Sequence, residues 1–323
     1  MYCQRRFFLR AGAAALIVSA CTRAQSPNPS SSPANGATNL ATVRQIKHAF
    51  GETEVPAEPN RVIVLGYTTI EAVLAHGVQP IGVPSGSVDQ LLHLGWDQDT
   101  VADIGDPVQP NLEKIAALKP DLILTSKHRL GDGYNPLAQI APTVVLDIDN
   151  NAQWKELTRL CGEALGKPTE TKKLATAYDT KLQQVAAQLS PTDNPPQVSI
   201  VSIFPGLIRA AGTETFAGSV LADAGVARPP SQSQAQGPQN VSLEALDLLD
   251  GDVIFIMTLP GSTTVAKESQ TEIDRIKAHP LWSQLKAVQT NQVYEVGSHW
   301  LVGSYLSADL ILDDLLKYGV ERQ

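Results

Sequence analysis

The sequence predicts an α/β protein of two lobes with mainly parallel sheets, joined by one long bridging helix. Three observations carry that prediction. The first is the charged, helix-rich stretch Gln153 to Leu189, which sits near the middle of the 323 residues and divides two halves of similar pattern. The second is an echo between the halves. Asn111-Leu112-Glu113 with Leu118-Lys119-Pro120-Asp121-Leu122-Ile123 is answered by Ser242-Leu243-Glu244 with Leu249-Asp250-Gly251-Asp252-Val253-Ile254. Each copy reads as a cap residue, a short helix opening with Leu-Glu, a turn, an Asp and a buried apolar strand. The third is the alternation of apolar strand patterns with amphipathic ones on both sides, which implies parallel sheets.

Taken in order, Arg5-Arg6-Phe7-Phe8-Leu9-Arg10 and the apolar run Ala11 to Ala20 have the form of a twin-arginine export signal. The run is about half the ~20 residues that a membrane span needs. Val18-Ser19-Ala20-Cys21 matches a lipoprotein cleavage box with Cys21 as lipid acceptor. Residues 1–20 are therefore expected to be removed, and residues 21–40, crowded with Ser, Pro, Asn and Gly, to form a flexible tether.

The N-terminal lobe is expected over residues 41–152. Val43 to Phe50 and Glu52 to Val55 read as a hairpin, and Arg61 to Gly66 as a buried strand. Tyr67-Thr68-Thr69 reads as the loop at its carboxyl end, before a helix from Ile70 to Ala75. Pro80 to Val83, Asp121 to Thr125 and Thr143 to Leu146 supply further strands, with Ser126-Lys127-His128-Arg129 as a second carboxyl-end loop.

The bridge is expected over 153–190. A short amphipathic helix from Trp154 to Leu165 leads into a longer one, whose apolar positions Leu174, Ala175, Tyr178, Leu182, Val185, Ala186 and Leu189 fall at three-and-four spacing. About 22 residues at ~1.5 Å each make a rod of roughly 33 Å, long enough to reach from lobe to lobe.

The C-terminal lobe, 191–323, repeats the scheme. Strands are expected at Val198 to Ile203, Val253 to Met257 and Gln292 to Val296, and helices at Phe216 to Asp223, from Glu244, and from Ser304 to Tyr318. Phe204 to Arg209 and Gly297-Ser298-His299-Trp300 read as loops. Ligands of open parallel sheets sit outside the carboxyl ends of the strands. The residues placed there are Tyr67, Ser85, Lys127, His128, Arg129, Phe204, Arg209, Thr258, His299 and Trp300.

Charge and cysteine content exclude several classes. The chain carries 25 Lys and Arg against 33 Asp and Glu, and loss of the three arginines of the export segment brings the net charge near −11. Such a balance disfavours nucleic acid and an anionic membrane surface as direct partners. Of three cysteines, removal of Cys3 and lipidation of Cys21 leave Cys161, which lies on the apolar face of its helix and reads as a buried structural thiol. The G-x-S-x-G, G-x-x-x-x-G-K, G-x-G-x-x-G and H-E-x-x-H patterns are absent, so no enzyme is indicated and no catalytic residue is assigned.

The order of pieces resembles the periplasmic substrate-binding proteins that serve ABC importers of iron–siderophore complexes and cobalamin, the ferric-citrate and ferrichrome group. The residues that carry the resemblance are His48 to Thr53, Val55 to Val62, Gly77 to Val83, Asn111-Leu112-Glu113, Leu118 to Ile123 and Asp309 to Tyr318. They run along nearly the whole chain after the tether.

The resemblance implies a ferric siderophore held between the lobes, without resident cofactor or direct metal site, and handed to permease subunits driven by a cytoplasmic ATPase. It implies an extracytoplasmic, lipid-anchored monomer. Glu113 and Glu244 stand where the family places the glutamates that dock with the permease. An anionic ferric chelate would suit Arg129 and Arg209, one per lobe, because guanidinium binds carboxylate through two parallel hydrogen bonds. Lys127 would add positive potential, and Tyr67 and Trp300 flat apolar walls. Haem or cobalamin, with His128 or His299 as axial ligand, and direct Zn or Mn capture are the alternatives. The six histidines show no pair at ligand spacing.

Overall fold

The computed structural model describes residues 42–87, 91, 94, 100–130, 133–188, 195–258, 264–301 and 303–318. The expected export signal, Cys21 and the whole tether lie outside the described residues, as does the side chain of His128. The chain enters through an antiparallel hairpin, β1 (Val43–His48) and β2 (Gly51–Pro56). The N-terminal lobe follows as β3 (Val62–Val64), α1 (Tyr67–Ala75), β4 (Gly82–Val83), β5 (Ala102–Asp103), α2 (Leu112–Ala117), β6 (Leu122–Ser126), α3 (Lys127–Leu130), α4 (Tyr134–Ala138) and β7 (Thr143–Leu146). Its sheet runs β5-β4-β3-β6-β7 and is parallel throughout. Covered on both faces, β3, β6 and β7 are buried along their whole lengths, which is why they read as unbroken apolar runs.

The bridge is a pair of helices, α5 (Trp154–Leu165) and α6 (Pro168–Gln188). They are separated at Gly166, whose φ of 74° is the left-handed conformation that ends helices. A side chain there would also run into the Ala57 carbonyl, 2.2 Å from the added carbon. Helix α5 belongs to both lobes, and α6 packs into the C-terminal one. Leu157, Cys161, Ala164 and Leu165 of α5 pack into the N-terminal core, whereas Trp154 lies in the C-terminal core with Tyr178 and Val185 of α6. Near its start α6 meets α1 through Thr171 Oγ1 and His76 Nε2, 2.8 Å apart. Further along, Lys181 pairs with Asp309 and Asp313 near the C-terminus of the chain. Of the expected stripe, Leu174, Ala175 and Leu182 are partly buried against the core, Ala186 is exposed, and Leu189 lies outside the described residues.

The C-terminal lobe comprises β8 (Val198–Phe204), β9 (Leu207–Ala210), α7 (Phe216–Asp223), α8 (Pro230–Ser233), β10 (Gln239–Asn240), a 3-10 turn Leu243–Leu249, β11 (Val253–Met257), α9 (Thr264–Lys277), α10 (Lys286–Gln289), β12 (Val293–Val296) and α11 (Tyr305–Lys317). The sheet order is β10-β9-β8-β11-β12, with β8, β11 and β12 parallel and β9 and β10 antiparallel.

Several expected loops are regular structure. Tyr67, Thr68 and Thr69 form the first turn of α1, because Gly66, at φ 98°, turns the chain directly from β3 into the helix. Lys127 to Arg129 belong to the single turn α3. Arg209 lies on β9, since Pro205-Gly206 folds the expected loop into a hairpin with Ser202 opposite Arg209. The Glu244 helix is a 3-10 turn with a kink at Ala245, and Ser298–Trp300 is another 3-10 turn.

The lobes meet at a buried carboxylate. Glu71 of α1 is fully buried and receives four hydrogen bonds at the start of α11. Its Oε1 accepts from Ser304 N (2.7 Å), Ser304 Oγ (3.0 Å) and Ser307 N (2.9 Å), and its Oε2 from Ser307 Oγ (2.7 Å). The charge thus satisfies the orphan donors of a helix N-terminus and sits at its positive end.

Candidate functional site

A cleft of about 390 Å³ opens where the carboxyl ends of the strands of the two sheets face each other. Arg129 comes from the N-terminal lobe, Asn150 and Asn151 from the approach to the bridge, and Ser202, Phe204, Arg209 and Thr215 from the C-terminal lobe. Arg129 and Arg209 therefore line one cavity, as arginines from opposite sides.

Each is placed by its local structure. Arg129 follows β6 on the turn α3, its side chain against Gly66, where an added carbon would lie 3.5 Å from its Cγ. The Arg129 guanidinium carbon stands 6.0 Å from the centre of the Tyr67 ring. Arg209 is held on β9 by its own Nε, which donates to Asn240 Oδ1 of β10 at 3.3 Å. Both carry planar donor forks suited to a carboxylate or catecholate oxygen.

Tyr67 and Lys127 are absent from the cleft lining. Tyr67 is half-buried beneath Arg129, and burial pushes its hydroxyl above the ordinary phenol range against the opposing pull of Arg129. Lys127 is exposed and paired to Asp147 (3.0 Å) and Asp149 (3.6 Å), which raise its pKa and neutralise most of the potential expected of it.

Trp300 reaches the cleft as a buried wall, only 2% exposed. Its ring stacks on Phe255 at 4.6 Å and its indole N–H donates to Asp314 Oδ2 at 2.8 Å. The same Asp314 oxygen is 2.8 Å from His299 Nε2, so that nitrogen faces a carboxylate. Among the described residues no three His, Cys, Asp or Glu side chains converge as a metal site.

The remainder of the lining comes from positions with no chemical motif to mark them. Thr215 caps α7, its Oγ1 accepting from Gly218 N at 3.1 Å and donating to the Gly212 carbonyl at 2.8 Å. The positive end of α7 therefore opens on the cleft, a placement that favours negative charge. Asn150 caps the 3-10 turn before α5, with its Oδ1 accepting from Ala152 N at 3.0 Å. An S/T/N residue followed three positions later by Gln, here Asn150 and Gln153, was the readable sign of that turn. Glu214 adds one exposed acid to the rim.

Away from the cleft, Glu113 stands exposed in the first turn of α2, and Glu244 exposed in the 3-10 turn before β11. The Ser242 hydroxyl and a backbone N–H hold the Glu244 carboxyl below its usual range. Exposed Leu112 adjoins Glu113 in sequence, and exposed Leu248 lies four residues after Glu244.

A model of the periplasmic binding protein family matches residues 62–299. The chain is 32% identical over 317 residues to the probable siderophore-binding lipoprotein YfiY of Bacillus subtilis, with 94% of each covered. It is 31% identical to the Fe(3+)-citrate-binding protein YfmC of the same organism, covering 87% of this chain and 85% of that one. Among solved structures, Staphylococcus aureus SirA complexed with staphyloferrin B superposes with a TM-score of 0.71 at 29% identity, over 85% of this chain and 98% of that one.

Proposed function

Because this chain belongs to the periplasmic binding protein family, a family of binding proteins and not of enzymes, we propose that it captures an anionic ferric chelate between its lobes and delivers it to an ABC importer. The cargo is a ferric siderophore, of ferric-citrate or related carboxylate type. The observation that carries this reading is the pair Arg129 and Arg209, from opposite lobes, on the wall of one cleft. The names of the relatives and of the solved neighbour, which bind siderophores or ferric citrate, support the same cargo class. Iron enters as part of the ligand, and the chain itself supplies no metal ligand in this reading.

Each remaining part has a role in delivery. Exposed Glu113 and Glu244 engage cationic side chains of the membrane subunits, one from each lobe. The twin-arginine segment directs export, and lipid on Cys21 holds a monomer at the membrane while residues 22–40 let it move. ATP hydrolysis by the importer drives release, so the binding protein returns its ligand chemically unchanged.

The test is a tryptophan-fluorescence titration of the chain from Thr22 onward with ferric citrate, a ferric trihydroxamate, haem, cobalamin and Zn²⁺. Saturable quenching by a ferric chelate, weakened about tenfold or more in Arg129→Ala and in Arg209→Ala, is the expected result. Affinity within about twofold of wild type in both variants would overturn the arginine assignment. Saturation by haem, cobalamin or Zn²⁺ alone would overturn the cargo.

A further inference from the structure

Behind the C-terminal wall of the cleft lies a third arginine that, among the described residues, touches no carboxylate. Arg228 Nη1 donates to the Gly212 carbonyl at 3.3 Å, and its Nη2 donates to the Ala211 carbonyl and to Gln232 Oε1. Its Nε is buried with no hydrogen-bond partner among the described residues. Every acceptor is a neutral dipole. Gly218 makes room for the guanidinium, since a carbon added there would stand 2.9 Å from Nη1.

The network around this cation connects it directly to the cleft. Gln232 is fully buried; its Oε1 also accepts from Ile200 N at 3.0 Å and its Nε2 donates to Ser199 Oγ at 2.6 Å. Ile200 and Ala211 are cleft-lining residues, so one layer of β8 and of the β9–α7 connection separates guanidinium from ligand space. An uncompensated buried charge is costly unless something offsets it. In a chain of net charge −8, where exposed Lys127 is paired with two aspartates, the missing counter-charge is conspicuous. Burial pushes the Arg228 pKa down to about 10, which leaves it protonated at neutral pH.

We infer that Arg228 is a specificity-determining residue whose missing counter-charge is supplied by the bound ligand, so that the cleft selects ferric chelates of high negative charge. The inference rests on the ferric-chelate reading above. Arg228 makes no contact with the ligand; it acts through the field across a thin wall, where screening is weaker than in bulk water. Its hydrogen bonds to Ala211 and Gly212 also hold the wall, and the test has to separate the two effects.

Affinities are measured for a series of ferric chelates of graded net charge, from a neutral trihydroxamate through ferric citrate to the ferric complex of a citrate-based siderophore. The readout is the slope of log affinity against ligand charge. Arg228→Met removes the charge, Arg228→Lys keeps it on a different head group, and Gln232→Glu keeps the arginine but gives it a carboxylate. The expected result is a slope flattened in Arg228→Met and in Gln232→Glu, with about a tenfold loss for the most anionic chelate and less than about twofold for the least charged, and restored in Arg228→Lys. Should Arg228→Met fail to fold, Gln232→Glu and Arg228→Lys decide. A uniform loss across the series, or a wild-type slope in Gln232→Glu, overturns the inference while leaving the ferric-chelate reading intact. Absence of binding to every chelate by the wild type overturns both.

Discussion

The two lobes build the same thirteen-residue pattern into different local structures. In the N-terminal copy Asn111 caps a true α-helix, with its Oδ1 accepting from Lys114 N at 2.9 Å. In the C-terminal copy Ser242 makes no side-chain cap, and the segment is a kinked 3-10 turn. Yet both copies deliver their Asp to the same task. Asp121 accepts from Asn60 N (2.9 Å) and Arg61 N (2.8 Å) at the head of β3, and Asp252 accepts from Gln197 N (2.7 Å) just before β8.

Each acid therefore ties the start of β6 or β11 to the central strand beside it, β3 or β8. What the lobes share is the strand clamp and an exposed glutamate; what they do not share is the cap and the far edge of the sheet. Only the C-terminal sheet continues through the antiparallel pair β9 and β10, and that pair carries Arg209. Symmetry serves the frame and the proposed docking points, and departure from symmetry serves the proposed ligand site.

The comparison can be broken most completely at the glutamates. Reversal of both, Glu113→Arg with Glu244→Arg, is expected to abolish cellular uptake while the purified protein keeps its ligand affinity. Uptake at the wild-type rate would show that the paired exposure has no docking role.

The joint between the lobes is the next largest effect. Glu71→Ala leaves two buried backbone N–H groups and two serine hydroxyls at the start of α11 without their acceptor. It should lower stability by about 3–5 kcal/mol in urea unfolding. A loss below about 1 kcal/mol would mean that α11 finds other acceptors.

The strand clamps come third. Asp121→Ala and Asp252→Ala should each cost about 1–3 kcal/mol, the first more because it releases two N–H groups. Burial would raise the Asp252 carboxyl, but the Gln197 N–H and the Lys286 ammonium outweigh it and hold the group below its usual range. A carboxyl lowered in the folded state stabilises above its unfolded pKa, roughly pH 4, and the benefit disappears as pH falls through the folded value. The stability gap between wild type and Asp252→Asn should accordingly be full at neutral pH and close in acid. A gap independent of pH would show that the carboxylate charge contributes nothing.

The caps separate the copies by the smallest margin. Asn111→Ala should cost about 1 kcal/mol, and Ser242→Ala less than about 0.5 kcal/mol, the ordinary scale of a surface change. Equal costs, measured by thermal melting, would erase the distinction drawn between helix and 3-10 turn.

How much of this could be read in the sequence follows from how local each cause is. The buried strands were legible because a strand covered on both faces must be apolar throughout, as in Val253 to Met257. The helix at Phe216 to Asp223 and the buried thiol of Cys161 were legible from periodicity alone. The hairpin that carries Arg209 was read as a loop because its strand β9 is only four residues long. Helix α9 was missed because few of its positions are apolar, Ala266, Ile273 and Ile276 among those buried.

The site was less legible, since its determinants are distant in sequence. Nothing near Lys127 announces that Asp147 and Asp149 neutralise it. Nothing near Trp300 announces that Phe255 and Asp314 bury it as a wall. Arg129 and Arg209, placed by the sequence at the carboxyl ends of strands, both line the cleft, although the segment carrying Arg209 is a strand and was read as a loop.

The Glu71 joint has a consequence for timing. With α1 fastened to the start of α11 and α5 packed into both cores, movement of the lobes is restrained, and the cleft is expected to be formed before the ligand arrives, with few encounters lost to waiting for an open form. Association should then approach the rate of collision, raised further by attraction of an anion to the arginines. Selectivity among chelates must consequently appear in how long each one stays. A long stay protects cargo from competitors in the medium, and it also delays surrender to the importer, so residence time is the quantity that this rigid frame leaves free to tune.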